Sequence, residues 1–154
     1  NDFSKPLAVT LHYEAPGYAI KAGPQLVFTP PLGRHLFASA RTSDYLYRAG
    51  PEKRTHPFRI RATRLVEFTE EIVLPEGATL KASPQEVTLS GEAADFSYTV
   101  SGDEGVITTK ERIVLKHRVN PANTYENFRR VISAVNGLFE AKMVVSLSTQ
   151  KVKL

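Results

Sequence analysis

Four histidines are the side chains of this sequence best suited to acid–base or metal chemistry, and their spacing argues against both. His12, His35, His56 and His117 stand far apart, none three or four residues from another and none beside a carboxylate in a ligand pattern. His12 falls on the polar side of an alternating segment, and His56 precedes a proline in a basic stretch, so both are expected in solvent. His117 shares the odd-numbered positions of Ile113 and Leu115 and is expected half-buried. There is no cysteine, which removes thiolate ligands, a thiol nucleophile and disulfides together. Neither Gly-x-Ser-x-Gly, Gly-x-Gly-x-x-Gly nor Gly-Lys-Ser/Thr occurs. Carboxylates adjoin at Glu70-Glu71 and Asp103-Glu104. Strand neighbours point to opposite faces and a pair at a hairpin tip faces water, so neither pair makes an acid–base dyad. The residues predict no catalytic centre, no metal site and no cofactor.

Binding chemistry has more material. The formal net charge is +4, and much of the excess lies in Arg48, Lys53, Arg54, Arg59, Arg61 and Arg64, with Glu52 the local offset. Tyr45 and Tyr47 stand near Arg41 and Arg48 and could stack on sugars. Tyr45, Tyr47, Arg54, Arg59, Arg61 and Arg64 therefore form a candidate basic and aromatic surface for a glycan or polyanion. Its plainer reading is a solvated strand face beside packed rings. Leu36, Phe37, Tyr45 and Tyr47 lie where alternation is weakest and are a candidate apolar contact patch for a protein. A nucleic-acid partner is not expected.

The elements that must position these residues are mostly strands. At 154 residues, with 42% hydrophobic and 23% charged residues, the chain suits a single domain spanning 1–154. No apolar run approaches the ~18 residues of a membrane span. The start, Asn1-Asp2-Phe3-Ser4-Lys5, lacks the order of a signal peptide, and the chain is expected to be a piece excised from a larger protein. Leu7, Val9, Leu11 and Tyr13 alternate with polar or small residues, as in a half-buried strand. Tyr18–Ile20 and Leu26–Thr29 are further short strands around Gly23-Pro24. Period two persists from Phe58 to Leu74, where Arg64 and Glu70 are the charges on the apolar side and could mark a bulge or a change of sheet. Val87 and Leu89 mark another short strand. Phe96, Tyr98 and Val100, then Ile107, Thr109, Ile113, Leu115 and Val119, flank Gly102-Asp103-Glu104-Gly105 as a hairpin whose second strand interrupts its apolar face at Glu111.

The period changes after Asn120-Pro121. Tyr125, Phe128, Ile132, Val135 and Phe139 make one helical stripe, with Asn120 or Asn123 as N-cap and Asn136-Gly137 as the end. Met143, Val145 and Leu147 then alternate as a last strand. The predicted fold is an antiparallel β-sandwich with one C-terminal helix, about 121–137, followed by a final strand.

Arg54-Thr55-His56-Pro57-Phe58, Leu74-Pro75-Glu76-Gly77, Pro84, Tyr125-Glu126-Asn127-Phe128-Arg129 and the strand from Met143 to Leu147 follow one another in an order that resembles the β-rich C-terminal domain of secreted or periplasmic bacterial proteins carrying a transglutaminase-like, papain-like domain. The resemblance covers most of the chain, with the first fifty residues matching only in general character. It implies a non-catalytic accessory domain whose partner is the catalytic domain of the same chain or that domain's substrate, and a periplasmic or extracellular location. The Cys, His and Asp triad of that family belongs to the preceding domain, and no position here corresponds to it. The alternative is a free-standing glycan- or polyanion-binding module.

Overall fold

The structure is a computed structural model and describes residues 8–30, 50 and 52–147. Its frame is a four-stranded antiparallel sheet. Strands β7 (Ala94–Asp103) and β8 (Val106–Leu115) form a long hairpin, closed by Glu104 and Gly105 at φ of 45° and 80°. Two residues with positive φ match the right-handed twist of the strands they join, which is why this turn falls on Glu-Gly. β4 (Arg64–Val73) pairs with β8 over its whole length, and β6 (Val87–Leu89) pairs with β7, giving the order β4-β8-β7-β6.

The register puts alternate residues of the three long strands on one inner face. Val66, Phe68, Glu70 and Ile72 lie beside Ile113, Glu111, Thr109 and Ile107, which lie beside Phe96, Tyr98, Val100 and Gly102. Two different layers cover that face. Over the Ile113 end lies α1 (Tyr125–Glu140), burying Tyr125, Phe128, Val131, Ile132 and Val135 against Phe96, Ile113 and Leu115. Phe58 joins them, its ring 5.2 Å from those of both Tyr125 and Phe128. Over the Ile107 end lies a second sheet, in the order β1-β2-β10-β5: Ile20–Ala22, Gln25–Phe28, Met143–Ser146 and Thr79–Ala82. Phe28, Met143 and Val145 pack there on Ile107, Ile72 and Leu80. Half of the face is thus a sandwich and half a helix-on-sheet layer, and Val100 touches both clusters. A two-stranded ribbon, β3 (Phe58–Arg59) with β9 (Val119–Asn120), lies beside the helix end.

The helix is fastened by one polar side chain. Asn127 Oδ1 accepts from the amides of Ala93 and Ala94 at 3.0 and 2.9 Å, and its Nδ2 donates to the Ala94 carbonyl at 3.0 Å. Gly91 permits this approach, since a Cβ there would lie 2.2 Å from Asn127. Lys116 closes the loop from the other side, bonding the Gly91 carbonyl at 2.7 Å and Asp95 at 2.8 Å.

Mostly antiparallel β structure with one helix and a last strand is what the periodicities predict, and several boundaries differ. Ala8–Ala15 has no strand, although it alternates: alternation supplies a face, while a strand also needs a ladder partner, and Val9, Leu11 and Tyr13 stay 69%, 56% and 51% exposed. The run Phe58–Leu74 is two strands in two sheets, broken at residues 60–63; Glu70 marks neither a bulge nor a change of sheet. Thr79–Ala82 is a strand that the pattern did not announce. The helix passes through Gly137 to Glu140 because its stripe continues to Phe139. Its N-cap is Thr124, after a 3-10 turn at Ala122–Thr124, and neither asparagine caps it with a side-chain bond. Asn120 instead points its Nδ2 back to the His117 carbonyl, 2.8 Å away. His117 is exposed because β8 ends at Leu115 and the alternation ends with it.

Replacing Asn127 with alanine leaves two backbone amides without their acceptor. The expected loss is about 2–4 kcal/mol, seen as a lower urea midpoint at unchanged slope.

Candidate functional site

The polar centre of the molecule is a pair of carboxylates that sequence neighbours do not suggest. Glu70 pairs with Thr109 and Glu111 with Phe68, so the two acids are diagonal neighbours on the inner face, 6% and 7% exposed. They sit in the rows between the helix-covered end and the sheet-covered end. Tyr98 lies directly opposite Glu111 and is 1% exposed. From outside the sheet, the Tyr13 hydroxyl donates to Glu70 Oε1 at 2.5 Å, fastening the segment that precedes β1.

Electrostatics divide the roles. Burial pushes the Glu111 carboxyl up to about 7, and the charge of Glu70 adds to the effect. Burial, the bond to Glu70 and the Glu70 charge raise the Tyr13 hydroxyl, keeping it a donor; burial and the charges of Glu111, Glu70 and Glu86 do the same for Tyr98. Glu111 Oε2 and the Tyr98 hydroxyl are buried without a hydrogen-bond partner among the described residues. The pair can therefore retain a proton at neutral pH. A cleft of about 920 Å³ opens nearby, between Leu11–Pro16, the β1–β2 side of the second sheet and residues Glu71–Leu74. Neither Glu70 nor Glu111 lines it, so the proton-holding pair does not face its contents. Among the described residues no three histidine or carboxylate side chains converge as a metal site.

Of the basic and aromatic candidates, Tyr45 and Tyr47, with Leu36 and Phe37, lie outside the described residues. Arg54 stacks on the helix end, its guanidinium carbon 4.9 Å from the Tyr125 ring centre and 5.7 Å from that of Phe58. Its charge thus caps the aromatic cluster. Arg59, on β3, and Arg61, just after it, are exposed. Arg64 is half-buried at the start of β4 and is engaged in the fold. Arg54 thus serves packing as well as charge, and Arg54, Arg59 and Arg61 all reach solvent.

The fold and its contents agree with a family. Residues 26–145 match the model of a domain of unknown function with solved structure, DUF3858, and the chain belongs to that family. A crystal structure of a "putative protease" from Parabacteroides distasonis is similar to 63% of the chain at 22% identity, with a TM-score of 0.54, a likeness of fold. The matched part is 19% of that structure's length, so this chain is far shorter than its structural neighbour. No functionally curated protein matches the chain.

The acid pair had a signal in the sequence: Glu70 and Glu111 each interrupt the apolar side of a strand. Adjacency along the chain does not reveal the pair, because the register of β4 with β8 joins the two acids across strands.

A carboxyl that titrates higher in the fold than in the unfolded chain stabilises below its unfolded value, near 4.3, and loses that contribution as pH rises through about 7. Stability should fall on the order of 3 kcal/mol between pH 5 and 8. Asp95, held low by Lys116, titrates below that window. In Glu111→Gln the slope should flatten, leaving the variant more stable than the parent at pH 8. Urea denaturation across this range checks it; an unchanged slope would remove Glu111 as the titrating group.

Proposed function

We propose that this chain is a non-catalytic accessory domain of a larger secreted or periplasmic protein with a transglutaminase-like, peptidase-like catalytic domain. In this reading it packs on that domain or positions its protein substrate. The observation that carries it is the recurrence of this fold as about a fifth of a much longer chain, the one called a "putative protease". The order of motifs from Arg54 to Leu147 supports the same origin. The chemistry agrees: the paired acids are shut beneath packed layers, and the cleft beside them is walled chiefly by apolar side chains. A glycan module would draw on Arg59 and Arg61, since the Arg54 guanidinium already lies on a ring.

The test begins with the full coding sequence, which should contain an export signal and an upstream domain bearing Cys, His and Asp. The intact protein and a version lacking residues 1–154 are then compared. Turnover of a small acyl substrate should be unchanged, while kcat/KM on a protein substrate drops about tenfold through loss of a tethered contact. Equal rates on both substrates, or turnover by residues 1–154 alone, would overturn the reading.

A further inference from the structure

Strand β4 is ten residues long, paired with β8 without a register shift, and lies at the end of its sheet among the described residues. Its amides and carbonyls divide cleanly. The Leu74 amide donates to the Gly105 carbonyl at 2.7 Å, continuing the ladder with β8. By the alternation of antiparallel pairs, the even-numbered residues of β4 bond to β8 and the odd-numbered ones turn their N–H and C=O groups outward. Those residues are Leu65, Glu67, Thr69, Glu71 and Val73, all exposed, with Leu65 at 56% and Val73 at 79%. Among the described residues, β4 pairs with no strand but β8. Such an edge is a template for another strand unless it is blunted by proline, bulge or cover; this one has neither proline nor bulge, and the Tyr13 segment beside it bonds the Glu70 side chain, with no backbone ladder to β4 among the described residues.

From this geometry we infer that the free edge of β4 binds an extended polypeptide segment in which lysine or arginine alternates with apolar residues. The cleft supplies the apolar half. Side chains on an added strand alternate between faces. Those on the inner side would enter the space beside Ile72 and Leu74, walled by Leu11, Tyr18, Leu26 and Phe28. Charge supplies the other half: on the outer side they would stand opposite Glu71 and opposite Glu67, and because Glu67 Oε1 already accepts from Arg112 Nε at 3.1 Å, Glu71 carries most of the attraction. Glu14 and Glu71 are among the residues that line the cleft, which include, among the described residues, no lysine or arginine.

The same charges argue against a second copy as the occupant. Two β4 edges paired antiparallel over their whole length, about Thr69, would set Glu67 of one against Glu71 of the other, and like charges directly opposed destabilise a ladder. The inference rests on the accessory-domain reading for its biological setting, and deepens it by naming the surface and the partner chemistry. The two fail separately: the deletion assay can succeed whether or not this edge is the contact.

The probe is the capped peptide acetyl-(Lys-Val)4-Lys-amide, compared with its counterpart in which glutamate replaces every lysine, titrated into residues 1–154 by calorimetry. The lysine peptide should bind one to one and the glutamate peptide about tenfold or more weakly. Thr69→Pro removes an outward amide that β8 does not use, and should weaken the lysine peptide about tenfold or more. Glu71→Lys, on the exposed face, should shift preference toward the glutamate peptide. Equal binding of the two peptides, no binding of either, or Glu71→Lys leaving their ratio unchanged would overturn the proposal. So would dimerisation of the chain itself that Thr69→Pro abolishes, because the edge would then be serving a second copy.

Discussion

Everything in this domain depends on the register of one hairpin. β7 and β8 are joined by two residues in left-handed backbone geometry, and a one-residue slip would turn every inner side chain outward. With the register as it is, Phe96, Ile113 and Leu115 meet the helix, while Ile107 meets the second sheet. β4 then copies the register residue for residue. Val100, on the shared face, packs against both clusters, so that face joins two small cores into one molecule.

Where the layers meet, the face turns polar. Glu70, Thr109 and Glu111 occupy positions that apolar residues fill elsewhere along the same strands. Burying two acids side by side is unfavourable unless one stays neutral or gains partners. Here Glu111 is pushed toward neutrality and Glu70 receives a hydroxyl from Tyr13. That bond also explains why Ala8–Ala15, with no ladder to join, still comes to lie against the sheet. The Asn127 bonds are the counterpart on the helical side: a single amide side chain satisfies backbone groups of the loop that enters β7. In both places a polar group of one layer answers a need of the other.

Much of this was legible from spacing. The hairpin, the helix stripe from Tyr125 to Phe139 and the last strand all carry clear periods, since one face of each is buried. The strand at Thr79–Ala82 was not legible because it is short and mostly exposed, with only Leu80 turned inward. The segment at Val9–Tyr13 misled because period two records an amphipathic chain and says nothing of a neighbour to pair with. The acid pair was half legible: each interruption showed, but their proximity is a product of register between strands forty residues apart. Arg54 read as part of a charged loop, and its stacking on Tyr125 depends on the chain folding back onto the helix.

The position of β10 has a consequence for how the chain is assembled. This last described strand is an interior member of its sheet, with β2 on one side and β5 on the other, and its Met143 and Val145 are wholly enclosed. As the polypeptide emerges from a ribosome, the hairpin and β4 can form early from nearby residues. β2 and β5 meanwhile have no common neighbour until Met143–Ser146 arrives behind the helix. The β1–β2 hairpin can form locally, but the second layer is completed only when β10 joins it to β5. Until then Phe28 and Ile107 face water, the interval in which a chaperone has most to protect.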